Sequence, residues 1–215
     1  MKVGVFDSGV GGLSMANAIS KALPQTEVIL KEDKEHVPYG TRQPDEIYGF
    51  VLPILKDLVL EGCDVIVVAC NTVTTTIIGK IRDNIDVPII AIEPMVKPAC
   101  VQTKNKKIAV CATPTTLASP RYMALKDEFA KDIVVYEPDC SDWSKLIEEN
   151  KINEEIIEGR IKDVIEKGVD VIVLACTHYH WIEQEISEIA KGKAVVLNPE
   201  DAIIRQLKTV LQRLG

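Results

Sequence analysis

Cys70 and Cys176 are the two residues whose type and placement suit joint chemistry. Each closes an apolar run: Asp-Val-Ile-Val-Val-Ala-Cys over 64–70 and Asp-Val-Ile-Val-Leu-Ala-Cys over 170–176. Small hydrogen-bonding side chains follow each, Asn71 and Thr72 after the first, Thr177 and His178 after the second. The pattern predicts a buried strand running into a helix. A thiol at a helix N-terminus meets free N–H groups and the positive end of the dipole, which lowers its pKa from about 8.5 toward neutrality. A lone cysteine of this kind is ordinarily a buried structural residue; two at matching positions favour use as a pair. One thiolate and one thiol are suited to proton exchange at a single carbon from opposite faces, one removing a proton and the other delivering one. Inverting a stereocentre without a cofactor requires that arrangement.

A glycine-rich turn, Phe6-Asp7-Ser8-Gly9-Val10-Gly11-Gly12-Leu13, follows the first predicted strand and offers backbone N–H groups to an anion. It lacks the Gly-Lys-Ser/Thr of a nucleotide-phosphate loop and the Gly-x-Gly-x-x-Gly spacing of a dinucleotide fingerprint. Asp7 at the strand end has two readings, a partner for a cationic amine or for Cys70, and a helix cap.

The elements that must position these residues read as alternating strands and helices. Strands are predicted at 3–6, 27–31, 64–70, 87–92, 107–112, 132–136, 169–176 and 194–197. Helices are predicted at 45–60, 72–83, 121–130, 154–167, 181–191 and 200–214. Continuous β-branched runs point to strands buried on both faces of a parallel sheet with helices on either side. The chain also repeats itself. Lys2 matches Lys107, Glu27 matches Asp132, Cys70 matches Cys176 and Val87 matches Ala194, at offsets of 105–107 residues. The repeated Gly-x-Asp before the strand and Ala-Cys at its end favour duplication over chance recurrence of Val-Ile-Val. The expected fold is therefore α/β with two similar lobes, each a parallel sheet flanked by helices, related by a pseudo-twofold axis. The first comprises 1–96 plus the C-terminal helix 200–215 and the second 97–199, joined near 93–105, with the polar, lysine-rich stretch 104–107 read as a surface linker. Ligands bind beyond the carboxyl ends of such strands, so the expected site is the cleft between the lobes.

Bulk properties narrow the classes. With 215 residues and 47% hydrophobic side chains, but only 5% aromatic ones, the core must be aliphatic. A formal net charge of −7 argues against a nucleic-acid backbone as partner. No apolar run has the length of a membrane helix, and no leader segment is visible, so a cytoplasmic location with no membrane partner is expected. The six cysteines are expected to be reduced, and no Cys/His spacing suggests a metal. His36 and His180 read as surface or loop residues, and Trp143 and Trp181 as rings that pack helices.

Five segments carry a family resemblance: Asp-Ser-Gly-Val-Gly-Gly-Leu (7–13), Val-Pro-Tyr-Gly-Thr-Arg (37–42), Ala-Cys-Asn-Thr (69–72), Glu-Pro-Met-Val-Lys-Pro-Ala (93–99) and Ala-Cys-Thr-His-Tyr (175–179). Together they resemble the signature segments of the glutamate racemases, within the aspartate/glutamate racemase superfamily, and span nearly the whole chain. The resemblance implies a cofactor-independent racemase, active as a homodimer on glutamate and supplying D-glutamate for peptidoglycan. Aspartate, or both acids, is the alternative substrate, and a non-catalytic amino-acid-binding homologue is a further one. It implies Cys70 and Cys176 as the acid/bases, the first acting on the D- and the second on the L-enantiomer. Asp7 and His178 are their implied helpers, with Glu148 near the second cysteine. Ser8, Tyr39, Gly40, Asn71, Thr72, Thr113, Thr116 and Thr177 are implied substrate holders. The chain departs from the family pattern at Lys31-Glu-Asp-Lys-Glu-His36, where a Gly-Asp-Thr-Ala-Arg-like run is usual, and at His180, where proline is usual. Both departures bear on the choice between glutamate and aspartate.

Overall fold

The computed structural model describes residues 1–215. The chain divides into two compact units, Met1–Glu93 with Pro199–Gly215, and Pro94–Asn198. The first unit contains β1 (Lys2–Asp7), α1 (Gly12–Ala22), β2 (Glu27–Glu32), a 3-10 turn (Tyr39–Thr41), α2 (Pro44–Leu60), β3 (Val65–Val68), α3 (Asn71–Arg82) and β4 (Ile89–Ala91). The second contains α4 (Val96–Gln102), β5 (Lys107–Cys111), α5 (Pro114–Leu117), α6 (Pro120–Phe129), β6 (Val134–Tyr136), α7 (Trp143–Glu148), α8 (Glu154–Glu166), β7 (Val171–Leu174), a 3-10 segment (Thr177–Ile182), α9 (Glu183–Ala190) and β8 (Val195–Leu197). The chain then returns to the first unit as α10 (Glu200–Leu214).

Both sheets are parallel and share one strand order, β2-β1-β3-β4 and β6-β5-β7-β8. The α/β class and the paired sheets read from the sequence are thus observed. The central runs Val65–Val68 and Val171–Leu174 are buried at every position, because helices cover both faces. In the first unit, α2 and α3 bury Leu55, Leu58, Val73 and Ile77 on one face. On the other, α1 and α10 bury Met15, Ile19, Ile203, Leu207 and Leu211. The last three recur at i, i+4 and i+8, one stripe of a helix.

The repeat has a common local cause. Gly62 and Gly168 sit at φ of +81° and +87°, just before β3 and β7. Each ends a helix by the same pair of hydrogen bonds: Gly62 N–H to Val59 O and Cys63 N–H to Leu58 O, Gly168 N–H to Ile165 O and Val169 N–H to Val164 O. Only glycine takes this left-handed position without strain. The aspartate two residues on then ties down backbone from elsewhere, Asp64 accepting from Lys2 N–H and Asp170 from Lys104 and Asn105 N–H.

Several expectations change. The join near 93–105 holds a helix that the sequence did not predict, α4, whose Val96 and Ala99 are buried, and Lys107 of the expected 104–107 linker opens β5. The strand predicted at 64–70 leaves the sheet after Val68, because the β1–β3 ladder ends there, and Ala69 N–H closes onto Phe6 O. The helix predicted at 181–191 starts at Glu183, after the 3-10 segment. No helix is long and apolar enough to cross a membrane.

Candidate active site

In the first unit, β1 and β3 are parallel neighbours, so Asp7-Ser8 and Ala69-Cys70 emerge side by side at their carboxyl ends. Ser8 Oγ lies 3.3 Å from Cys70 Sγ, and both residues are buried. Cys70 holds extended backbone at the N-cap of α3, its carbonyl accepting from Thr74 N–H at 3.0 Å. The thiol therefore stands at the N-terminus of a 12-residue helix, as the sequence predicts. Asp7 is fully buried, and its carboxylate accepts from Gly9 N–H at 3.1 Å. It does not cap α1, whose N-cap is Gly11 with no side-chain bond. Gly12 makes room for it: a Cβ there would lie 2.5 Å from Asp7 Cβ.

Asn71 and Thr72 open α3, only 3% and 4% exposed. Neither the amide oxygen nor the amide nitrogen of Asn71 has a hydrogen-bond partner. A buried amide left unpaired costs about 1–3 kcal/mol, and functional sites are where such a cost is retained. Thr74, Thr75 and Thr76, by contrast, turn their hydroxyls back to carbonyls four residues earlier.

Tyr39 packs in the same cluster as Cys70 and Val73. Its hydroxyl donates to Asp33 Oδ2 at 2.5 Å. Burial, then the bond to Asp33, holds the phenol far above its usual range, so it stays a neutral donor. The side chain is thereby committed to Asp33, and the buried Gly40 follows it in the 3-10 turn. His36 lies in the loop after β2, as the sequence reading expects, and is fixed there: Nδ1 meets Asp33 at 2.8 Å, and the ring stacks on Phe50 at 3.7 Å.

In the second unit, β5 and β7 repeat the arrangement, with Ala175 N–H bonding Cys111 O at 2.9 Å. Cys176 differs from Cys70 in one respect. A 3-10 segment follows it, with Tyr179 N–H on its carbonyl at 3.0 Å, so the expected α-helical N-terminus is absent there. Side chains supply its polar surroundings instead. His178 Nδ1 and Ser144 Oγ each lie 3.7 Å from Cys176 Sγ. Glu148, at the end of α7, meets His178 Nε2 at 2.6 Å. A carboxylate accepting from Nε2–H leaves Nδ1 with a lone pair toward the thiol. Thr177 and His178 are buried.

Thr113 N-caps α5, accepting from Thr116 N–H while its own hydroxyl donates to Thr116 Oγ1 at 3.1 Å. Thr116 is fully buried, and its hydroxyl oxygen accepts that bond. Trp143 is fully buried and meets Tyr179 edge-on at 5.1 Å between ring centres. Trp181 is 50% exposed, so only part of its ring is covered. His180 is half-buried rather than superficial; burial, then the charge of His178, pushes its pKa down to about 4.

All six cysteines are free thiols. Burial raises the Cys63, Cys100 and Cys140 thiols above their ordinary value, which disfavours the reactive thiolate. No group of three His, Cys, Asp or Glu side chains could hold a metal. Asp33 and Ser144 were not legible as site residues. Asp33 is joined to Tyr39 only by the fold, whereas Ser144 had one available signal, its place one helical turn before Glu148.

Known proteins share this fold. The chain is 36% identical to glutamate racemase from Pseudomonas aeruginosa over 214 residues, covering 97% of this chain and 81% of the relative. A glutamate racemase isoform from Bacillus anthracis superposes with a TM-score of 0.85 at 28% identity, over 99% of this chain and 82% of that one. The Escherichia coli glutamate racemase, solved with L-glutamate and the activator UDP-MurNAc-ala, gives 0.85 at 26% identity, over 98% and 82%. A model of the Asp/Glu/Hydantoin racemase family matches residues 8–207. The chain belongs to that family and is an amino-acid racemase.

Proposed function

We propose that the protein interconverts L- and D-glutamate by a cofactor-independent exchange of the α-proton between Cys70 and Cys176. The observation that carries the proposal is the pair of buried strand-end thiols, each beside a polar side chain able to take or stabilise a proton. One thiolate takes the α-proton and becomes a thiol; the other thiol gives its proton to the opposite face and becomes a thiolate. Turnover therefore swaps the proton distribution, and the product form is ready for the reverse reaction. His178, held by Glu148, handles the proton on Cys176, and Asp7 has the matching role beside Cys70. The unpaired Asn71 amide, with Ser8, Thr72, Thr113, Thr177 and the backbone of Tyr39 and Gly40, binds the amine and carboxylates. Donors aimed at the α-carboxylate stabilise the carbanionic transition state, and exclusion of water strengthens them. The protein acts as a homodimer in the cytoplasm and supplies D-glutamate for peptidoglycan.

Circular dichroism of L- and of D-glutamate under reducing conditions tests this without added cofactor. Both signals are expected to decay to zero with the parent protein and to persist with Cys70→Ala or Cys176→Ala. A persistent signal with the parent removes glutamate as substrate, and parallel aspartate samples decide the alternative acid. Full activity in either variant removes the two-thiol assignment.

A further inference from the structure

Cys176 Sγ has two polar neighbours at 3.7 Å, and only His178 belongs to its own segment. The other, Ser144, is 6% exposed and comes from α7. That short helix carries Ser144 and Glu148 four residues apart, on one face. It therefore reaches Cys176 twice, directly through the Ser144 hydroxyl and indirectly through the carboxylate that orients His178. Trp143, packed edge-on against Tyr179, fixes where α7 sits.

The first unit offers a comparison. There Ser8, at the end of β1, places its hydroxyl 3.3 Å from Cys70 Sγ. The repeat pairs Ser8 with Thr113, but Thr113 uses its hydroxyl to cap α5 and to bond Thr116. The second thiol thus receives its hydroxyl from a different element. L- and D-enantiomers have equal free energies, so two thiols that exchange roles at each turnover work best when similarly supported, and matched hydroxyl donors do this.

We propose that Ser144 is a positioning residue for Cys176, its hydroxyl donating to the thiolate and holding Sγ in place for proton transfer. The inference rests on the reading of Cys176 as an acid/base. His178, backed by Glu148, faces the thiol, and Tyr179, Cys140 and Cys111 share its buried cluster. The Ser144 hydroxyl also reaches the Tyr179 phenol, which competes with Cys176 for its proton while the thiol is neutral and yields to the charged thiolate.

Ser144→Ala and Ser144→Thr in the full chain test it, by two readouts. The first is alkylation of each thiol by iodoacetamide at pH 7, followed by peptide mass spectrometry with Cys70 as internal reference. Loss of one donor to a charged acceptor lowers the thiolate population about tenfold, and the greater nucleophilicity of the remaining thiolate recovers part of that. Cys176 alkylation is therefore expected to slow about threefold in Ser144→Ala, with Cys70 unchanged and Ser144→Thr restoring the parental rate. The second is the pH profile of kcat/KM, whose acid limb is expected to move to higher pH in Ser144→Ala only. Unchanged Cys176 alkylation, or equal slowing at Cys70, would overturn the proposal. Slowing confined to Cys176 in a parent that racemises nothing would uphold the Ser144 contact and remove the functional reading instead.

Discussion

Replacing Asn71 with leucine should make the protein more stable and nearly inactive. Asn71 is 3% exposed, and its amide oxygen and nitrogen lack partners. Leucine is close in size, removes the unpaired amide and favours the helix that begins at this residue. Relief of the buried polar group is worth about 1–3 kcal/mol. At about 2–4 °C per kcal/mol for a chain of this length, the melting midpoint of the first unit should rise by roughly 3–10 °C. The same change removes a donor and an acceptor aimed at substrate, leaving substrate groups unpaired in the bound state; kcat/KM should fall about a hundredfold. Scanning calorimetry with and without saturating glutamate reads both effects. Glutamate should raise the midpoint of the parent by mass action and leave that of Asn71→Leu almost unmoved. A variant that melts lower than the parent, or keeps kcat/KM within threefold of it, would refute the reasoning that this amide is held unpaired for a ligand.

Other consequences follow from the same geometry. Glu148→Gln replaces the charged acceptor on His178 Nε2; at about 2 kcal/mol for such a bond, kcat/KM should drop roughly thirtyfold by polarimetry. Because the enantiomers are isoenergetic, the drop must be equal in both directions, and a change under threefold would argue against His178 as proton carrier. Gly12→Ala would force a Cβ to 2.5 Å from Asp7 Cβ, so α1 must shift. A loss of about 1–3 kcal/mol in urea unfolding, together with reduced activity, is expected, and parental values in both would contradict the close packing. His180 has a folded pKa of about 4, against an ordinary 6.5. Between these values the unfolded chain binds a proton that the folded chain refuses. Stability is therefore lost as pH falls from about 6.5 toward 4, by about 2–3 kcal/mol at pH 4.5. Urea unfolding of His180→Gln should show a loss between pH 7 and pH 4.5 smaller by that amount, and identical losses would refute the assignment.

The strands were legible because a four-residue run such as Val65–Val68 is buried on both faces and leaves no polar alternation to mislead. The repeated Gly-x-Asp at 62–64 and 168–170 was legible as a match between the halves; its cause, a left-handed glycine and a carboxylate that ties down backbone, is visible only in the structure. The short helices were not. α7 has six residues, too few for a periodic signal, and α4 carries a proline within its seven. Ser144 therefore stayed hidden, and its helix neighbour Glu148 was reached only through the family resemblance. The surroundings of Cys176 were misread in part, since Ala-Cys-Thr-His and Ala-Cys-Asn-Thr look alike, yet only the second opens an α-helix. Nothing in the segment 33–39 forecast that Asp33 would bind the Tyr39 phenol and His36 together. Those contacts exist only once the chain has turned.

The central claim, two thiols acting on one α-carbon from opposite faces, is tested most directly by deuterium placement at early times. L-glutamate and the parent protein are mixed in deuterated water and quenched before a tenth of the substrate is consumed. The two enantiomers are then separated and weighed by mass spectrometry. A thiol that exchanges with solvent between turnovers delivers deuterium to the new face, so the D-glutamate should carry one α-deuterium while the remaining L-glutamate stays protiated. The reverse pattern of labels should hold when the reaction starts from D-glutamate. Product that retains the original proton, or substrate deuterated as fast as product, would mean that a single base serves both faces and would contradict the account.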